Sequence, residues 1–180
     1  MIRIILILAL TFSLQFSVKA QSFFADDGYV EFISRAPLLE FKGKSDNLTG
    51  KINFDENTVD FFVDLNTLNT GNRRRDRDMR NVYLKTEQFP FAEFYGAMLN
   101  QVDLARAEKQ PIAVRGEFTI HGVEKEMTIN GSITPNGEEI LVEAYWTVLL
   151  KDHNIDRPSV VFYELSEEQQ VNIRINLIKQ

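Results

Sequence analysis

The chain has 180 residues, with 20 Lys and Arg against 26 Asp and Glu and a formal charge of −6, a balance that argues against nucleic acid as a partner. It has no cysteine, which excludes disulfide staples, thiol catalysis and Cys-based metal sites, so stability must come from apolar burial. The length suits one domain with a full hydrophobic core, and no linker, low-complexity run or internal repeat divides it.

The opening stretch "MIRIILILALTFSLQFSVKA" sets Arg3 before an apolar run from Ile4 to about Phe16 and ends in the small-residue exit Val18 and Ala20. That is the layout of a secretory signal peptide cleaved after Ala20, and the run is short and lightly flanked for a bilayer-spanning helix. An uncleaved anchor is the other reading. Cleavage removes Arg3 and Lys19 and leaves residues 21–180 with 18 bases against 26 acids, a formal charge of −8.

Side chains on a strand alternate between faces, so a half-buried strand shows apolar residues at every second position. Residues 28–34, 38–45 and 48–55 are predicted as the first strands. In "VDFFVDL", Val59, Phe61, Val63 and Leu65 share one face and Asp60, Phe62 and Asp64 the other. Periodicity changes after Gly71. Met79, Val82 and Tyr83 then stand at i, i+3 and i+4, which predicts a short amphipathic helix over 73–84. Asn72 caps its start and Pro90 prevents its continuation. It carries five arginines between Arg73 and Arg80, with Asp76 one turn from Arg80 and Asp78 one turn from Arg74. The stretch reads either as a solvated helix with internal ion pairs or as a place where guanidinium meets an anionic head group.

A strand over 91–99 follows and contains Phe94. "IAVRGEFTI" turns Ile112, Val114, Phe118 and Ile120 to one side, and "MTINGSI" does so with Met127, Ile129 and Ile133. Val142, Ala144, Trp146 and Val148 share a face, as do Val171, Ile173, Ile175 and Leu177, while "VVFYEL", with Phe162, is apolar on both. The connections "HGVEK" and "PNGEE" are short and rich in turn residues, so the strands they join are antiparallel hairpins. Eight to ten long strands in an open sheet would leave two exposed edges, which favours closure into an up-and-down barrel; a two-sheet sandwich is the second arrangement that alternation allows.

In a closed barrel the apolar faces point inward. Gly116, Gly131 and Gly50 share that register, with Ala144 beside Trp146, and read either as room for a ligand or as bends needed for closure. A lumen lined by Phe, Ile, Val, Met and Trp suits an aliphatic ligand. Candidate wall residues are therefore Phe61, Val63, Phe94, Val114, Gly116, Phe118, Ile120, Met127, Ile129, Gly131, Ala144, Trp146, Val148, Phe162 and Ile173. The case for an enzyme is thin. His121 and His153 are the two histidines, His121 in a turn and His153 in "KDHNIDRP" beside Asp152 and Asp156, a spacing with little metal specificity. Neither a phosphate-cradling glycine loop nor a nucleophile elbow occurs. No cofactor and no metal is expected.

"LNTGNRRRDRDMRN", "TEQFPFAEF", "VRGEFTIHGVEKEMTI" and the C-terminal "LKDHNIDRPSVV" with "VNIRINLI" together resemble the YceI-like family of secreted bacterial proteins, over essentially all of residues 21–180. The resemblance implies an extended, lipocalin-like all-β antiparallel barrel with one short helix beside it, a periplasmic or secreted location, and a polyisoprenoid or related long-chain lipid inside. It also marks Asn72, Arg75 and Asp76 as a family motif, with either a head-group or a structural role. Two functions follow from different classes. One is non-enzymatic carriage of a polyisoprenoid, isoprenoid quinone or fatty amphiphile; the other is a ligand-free barrel acting as an envelope stress-response or protein-interaction module.

Overall fold

A computed structural model describes residues 21–36, 39–157 and 165–180. The leader-like residues 1–20 and most of "VVFYEL", including Phe162, lie outside the described residues. Eight strands follow one another around a closed antiparallel barrel. They are β1 (Ser22–Ala36), β2 (Leu39–Asn53), β3 (Thr58–Asp64), β4 (Phe91–Met98), β5 (Gln110–Ile120), β6 (Val123–Asn136), β7 (Glu139–Leu149) and β8 (Glu168–Lys179). The circle is completed by β1 pairing with β8, from Phe23 opposite Lys179 to Ser34 opposite Gln169. Closure leaves no sheet edge, which separates this architecture from the sandwich.

Two hairpins show how the sequence sets the register. Ile120 pairs directly with Val123, so His121 and Gly122 alone make the β5–β6 turn, both at positive φ, 55° and 71°. A two-residue turn of that hand matches the right-handed twist of its strands. Asn136 pairs with Glu139, and Gly137 takes φ 68° in the β6–β7 turn.

Two expectations need correction. The two strands expected over 38–45 and 48–55 are one in the structure, β2, which takes in residues 39–45 and 48–53 of them. Asp46 and Asn47, which fall between the two expected strands, form a bulge: opposite β1 the register shifts between Ala25 and Gly28 and again between Gly28 and Val30. The Asn47 N–H is satisfied locally by Ser45 Oγ at 3.1 Å, so the ladder tolerates the irregularity. The helix is also shorter than its periodicity suggests. Helix α1 covers Arg73–Asp78, and Met79–Tyr83 forms a π-type turn in which the Leu84 N–H reaches back to the Met79 carbonyl at 2.8 Å. The wider turn rotates Val82 outward to 58% exposure, while Met79 and Leu84 are buried.

The core has two parts. Inside the barrel, alternate residues of all eight strands form one apolar cluster, closed at one end by Phe23, Ile140 and Leu177, with Phe54 edge-on to Phe23. At the other end Leu65, Leu68, Met79, Leu84, Leu150 and Ile155 make a second cluster, which seats α1 and the segment after β7 on the barrel rim. Among the described residues no helix is long and apolar enough to cross a membrane.

Candidate functional site

Between these two clusters lies a cavity of about 830 Å³. Its wall is built by the inward alternation of the strands. Phe61 and Val63 come from β3, Phe94 from β4, and Val114, Phe118 and Ile120 from β5. Ile129 and Gly131 come from β6, Ala144, Trp146 and Val148 from β7, and Ile173 from β8. Phe118 and Trp146, the one tryptophan of the chain, meet edge to face at 6.0 Å. Polar side chains on the wall are few: Asn72, Arg74, Arg75 and Asp78 together at the rim, and Glu93, Glu143 and Gln169 elsewhere.

Three sequence-derived wall or motif residues do not line the cavity. Gly116 shares the inward register, but its backbone is pressed against β4. A Cβ there would lie 2.2 Å from the Tyr95 carbonyl oxygen and 2.6 Å from Gly96 Cα, so the glycine permits two strands to approach rather than making room for a ligand. Met127, directly across from Gly116, packs on the core without reaching the cavity wall. Asp76 is buried beneath the rim, where it accepts hydrogen bonds from the Thr70 N–H at 2.8 Å and the Thr70 hydroxyl at 2.6 Å. Gly131 combines both roles: it lines the cavity, and a Cβ there would stand 2.5 Å from the Glu143 carbonyl oxygen.

The other two motif residues sit at the rim. Asn72 Oδ1 accepts from the N–H groups of Arg74 and Arg75, capping α1. Arg75 lays its guanidinium 4.1 Å above the ring of Phe41, which is itself edge-on to Phe32. Arg74 and Arg77 both lie near Asp78, at 3.8 and 3.4 Å. The expected pairing of Asp76 with Arg80 does not form, because Arg80 instead donates to the Leu68 carbonyl at 2.8 Å.

Sequence reasoning missed most of the rim half of the wall, including Phe32, Phe41, Leu68, Met79 and Leu84. Phe41 alternates with Gly43 and Ser45 along β2, which is a legible strand signal. Leu65 continues the alternation of β3, whereas Leu68 lies in a non-repeating connection where no period marks the inward side.

The histidines stand apart from this wall. His121 Nδ1 donates to the His153 carbonyl at 3.1 Å and His153 Nδ1 to that of Val123 at 3.0 Å, since a carbonyl can only accept. Burial pushes the His153 pKa down, and the positive Lys125 and neighbouring His121 act in the same direction; the Val123 carbonyl and Asp152 oppose them. Among the described residues no group of three His, Asp or Glu side chains is gathered to hold a metal ion.

Fold and site together define a closed β-barrel with an apolar interior of ligand size. The sequence pattern of the YceI-like domain matches residues 15–177, and the chain belongs to the YceI-like family. A UPF0312 protein of Photorhabdus laumondii subsp. laumondii is 27% identical over 124 residues, 62% of each chain, so the match spans less than two thirds of that relative. A polyisoprenoid binding domain from Saccharophagus degradans has the same fold, with a TM-score of 0.76 and 19% identity over 90% of this chain and 100% of its own. Burkholderia cenocepacia BcnA superimposes with a TM-score of 0.72 and 14% identity, covering 84% of this chain and 96% of that one. The Campylobacter jejuni YCEI protein does so at 0.64 and 16%, covering 81% and 87%.

Proposed function

We propose that this protein is a non-enzymatic carrier that binds a long-chain apolar ligand, such as a polyisoprenoid, an isoprenoid quinone or a fatty amphiphile, inside its barrel in the cell envelope. The cavity carries the reading: about 830 Å³ walled almost wholly by aliphatic and aromatic side chains. Such a wall offers an aliphatic chain roughly 0.8 kcal/mol for each methylene taken from water, without directed chemistry. The polyisoprenoid-binding Saccharophagus domain shares the architecture, which supports an isoprenoid tail as the first ligand to test. The leader-like residues 1–20 support the envelope location.

Native mass spectrometry of gently purified protein, before and after organic extraction, tests the reading. The expected result is a lipid adduct that extraction removes, followed by saturable uptake of a fluorescent polyprenyl probe with a change in Trp146 emission. A bare chain that also refuses the probe would refute carriage and leave the ligand-free interaction module.

A further inference from the structure

We propose that the cavity rim selects an anionic head group, a phosphate or carboxylate, on the long-chain ligand, and that Arg75 receives it. This rests on the carrier reading above. The charge distribution is its first support. In a chain of formal charge −6, residues 73–80 hold five arginines and only two carboxylates, so the one strongly basic stretch was placed beside the lumen.

The carboxylates of this stretch leave Arg75 unneutralised. Asp76 is engaged by Thr70, and Asp78 is shared by Arg74 and Arg77. The guanidinium of Arg80 is turned to the Leu68 carbonyl. Among the described residues no carboxylate pairs with Arg75. Its guanidinium is held instead by the face of Phe41, a contact that orients the cation and leaves its N–H edge available. Phe41 is fixed in turn by Phe32, for which Gly43 across the ladder makes room: a Cβ at Gly43 would lie 2.2 Å from the Phe32 ring.

Arg75 and Arg74 border the same cavity as the apolar wall, and the wall residues Glu93 and Glu143 belong to β4 and β7 rather than to α1. An amphiphile with its tail along the lumen finds cationic donors at the α1 rim alone among the described residues. A planar guanidinium offers paired N–H donors that match two oxygens of a phosphate or carboxylate.

The test compares two probes with one tail, geranylgeranyl phosphate and geranylgeraniol, titrated into delipidated protein and followed by Trp146 emission. Wild type should bind the phosphate more tightly, and salt should weaken the phosphate alone. Arg75→Gln should reduce phosphate affinity by roughly tenfold or more while sparing the alcohol, as expected for loss of charge-assisted hydrogen bonds. Arg75→Lys, which keeps the charge without the fork, should fall between them; it and the salt series carry the test if Arg75→Gln does not fold. Equal loss for both probes, or none for either, would overturn the head-group role and leave the carrier intact. Failure of wild type to bind either probe would overturn both. Inorganic phosphate that binds as tightly as the lipid phosphate would mean a free-anion site, and would also overturn the inference.

Discussion

Ala144→Leu adds roughly three carbons to the middle of the cavity wall without touching the rim. Ala144 pairs with Gly131 on one side and Ile173 on the other, and all three border the cavity. Because about 830 Å³ is open beside it, the larger side chain has space to enter, unlike one forced into a filled core. The barrel should keep its Tm or gain slightly from the added burial. A ligand tail should lose the volume the leucine takes. At roughly 0.8 kcal/mol per methylene, displacing about three methylenes costs a filling ligand about 2.4 kcal/mol, or roughly fiftyfold in Kd. The assay is a ladder of straight-chain alcohols titrated into delipidated protein. In wild type, affinity should rise about fourfold per methylene until the tail fills the lumen. In the variant the rise should stop about three carbons earlier. An unchanged stopping point in a folded variant would refute the reasoning, since the tail would then not pass Ala144.

Gly116→Ala should behave oppositely, lowering Tm by separating β4 from β5, because the atoms its Cβ meets are backbone and cannot rotate away; thermal unfolding at wild-type Tm would contradict the close-approach role. Asp76→Ala leaves the half-buried Thr70 N–H and hydroxyl without their acceptor and should cost about 1 kcal/mol in urea unfolding. Val82→Ala, exposed by the π-type turn, should cost almost nothing, and a loss comparable to that of a buried valine would mean the turn is wrongly placed. The pH dependence follows from His153. Its folded-state pKa is lowered by burial, so the unfolded chain takes up the proton first. Stability contributed by the neutral ring is fully present above the unfolded pKa of about 6.5 and is lost as pH falls from there toward the folded value. Tm should therefore drop as pH falls below about 6.5, and His153→Asn should flatten that slope; an equal slope in both proteins would remove His153 as its source.

The barrel was legible because its strands are long and its inward positions obey a period of two. Closure was also legible, from the number of strands that would otherwise expose edges. Features set by neighbours in space were not. Gly116 and Gly131 occupy the same kind of position in the alternation and both lie close to a neighbouring strand, yet Gly116, opposite Gly96 on β4, is closed off from the cavity, whereas Gly131, opposite Ala144 on β7, borders it. Nothing local to either glycine records that difference. Asp46 and Asn47 have turn chemistry but sit in a bulge, because pairing of β2 with β1 continues on both sides. The α-helix was read one turn too far, since the π-type turn over Met79–Tyr83 leaves Val82 exposed and leaves no mark on composition. For the candidate site, the strand-borne wall could be found by alternation, but the rim could not. Arg75, Phe41 and Phe32 meet only through the packing of α1 on β2 and β1.

The pairing of Phe23 with Lys179 has a kinetic consequence, because it joins the first described strand to the last. Contacts so far apart in sequence form late, after most of the chain-entropy cost of ordering has been met. The seam between β1 and β8 is thus the step that turns a curled sheet into a container, and before it no enclosed wall exists to hold a tail. A guest that binds only the finished ring acts as a clasp on that seam, and loading should slow amide exchange in both strands together.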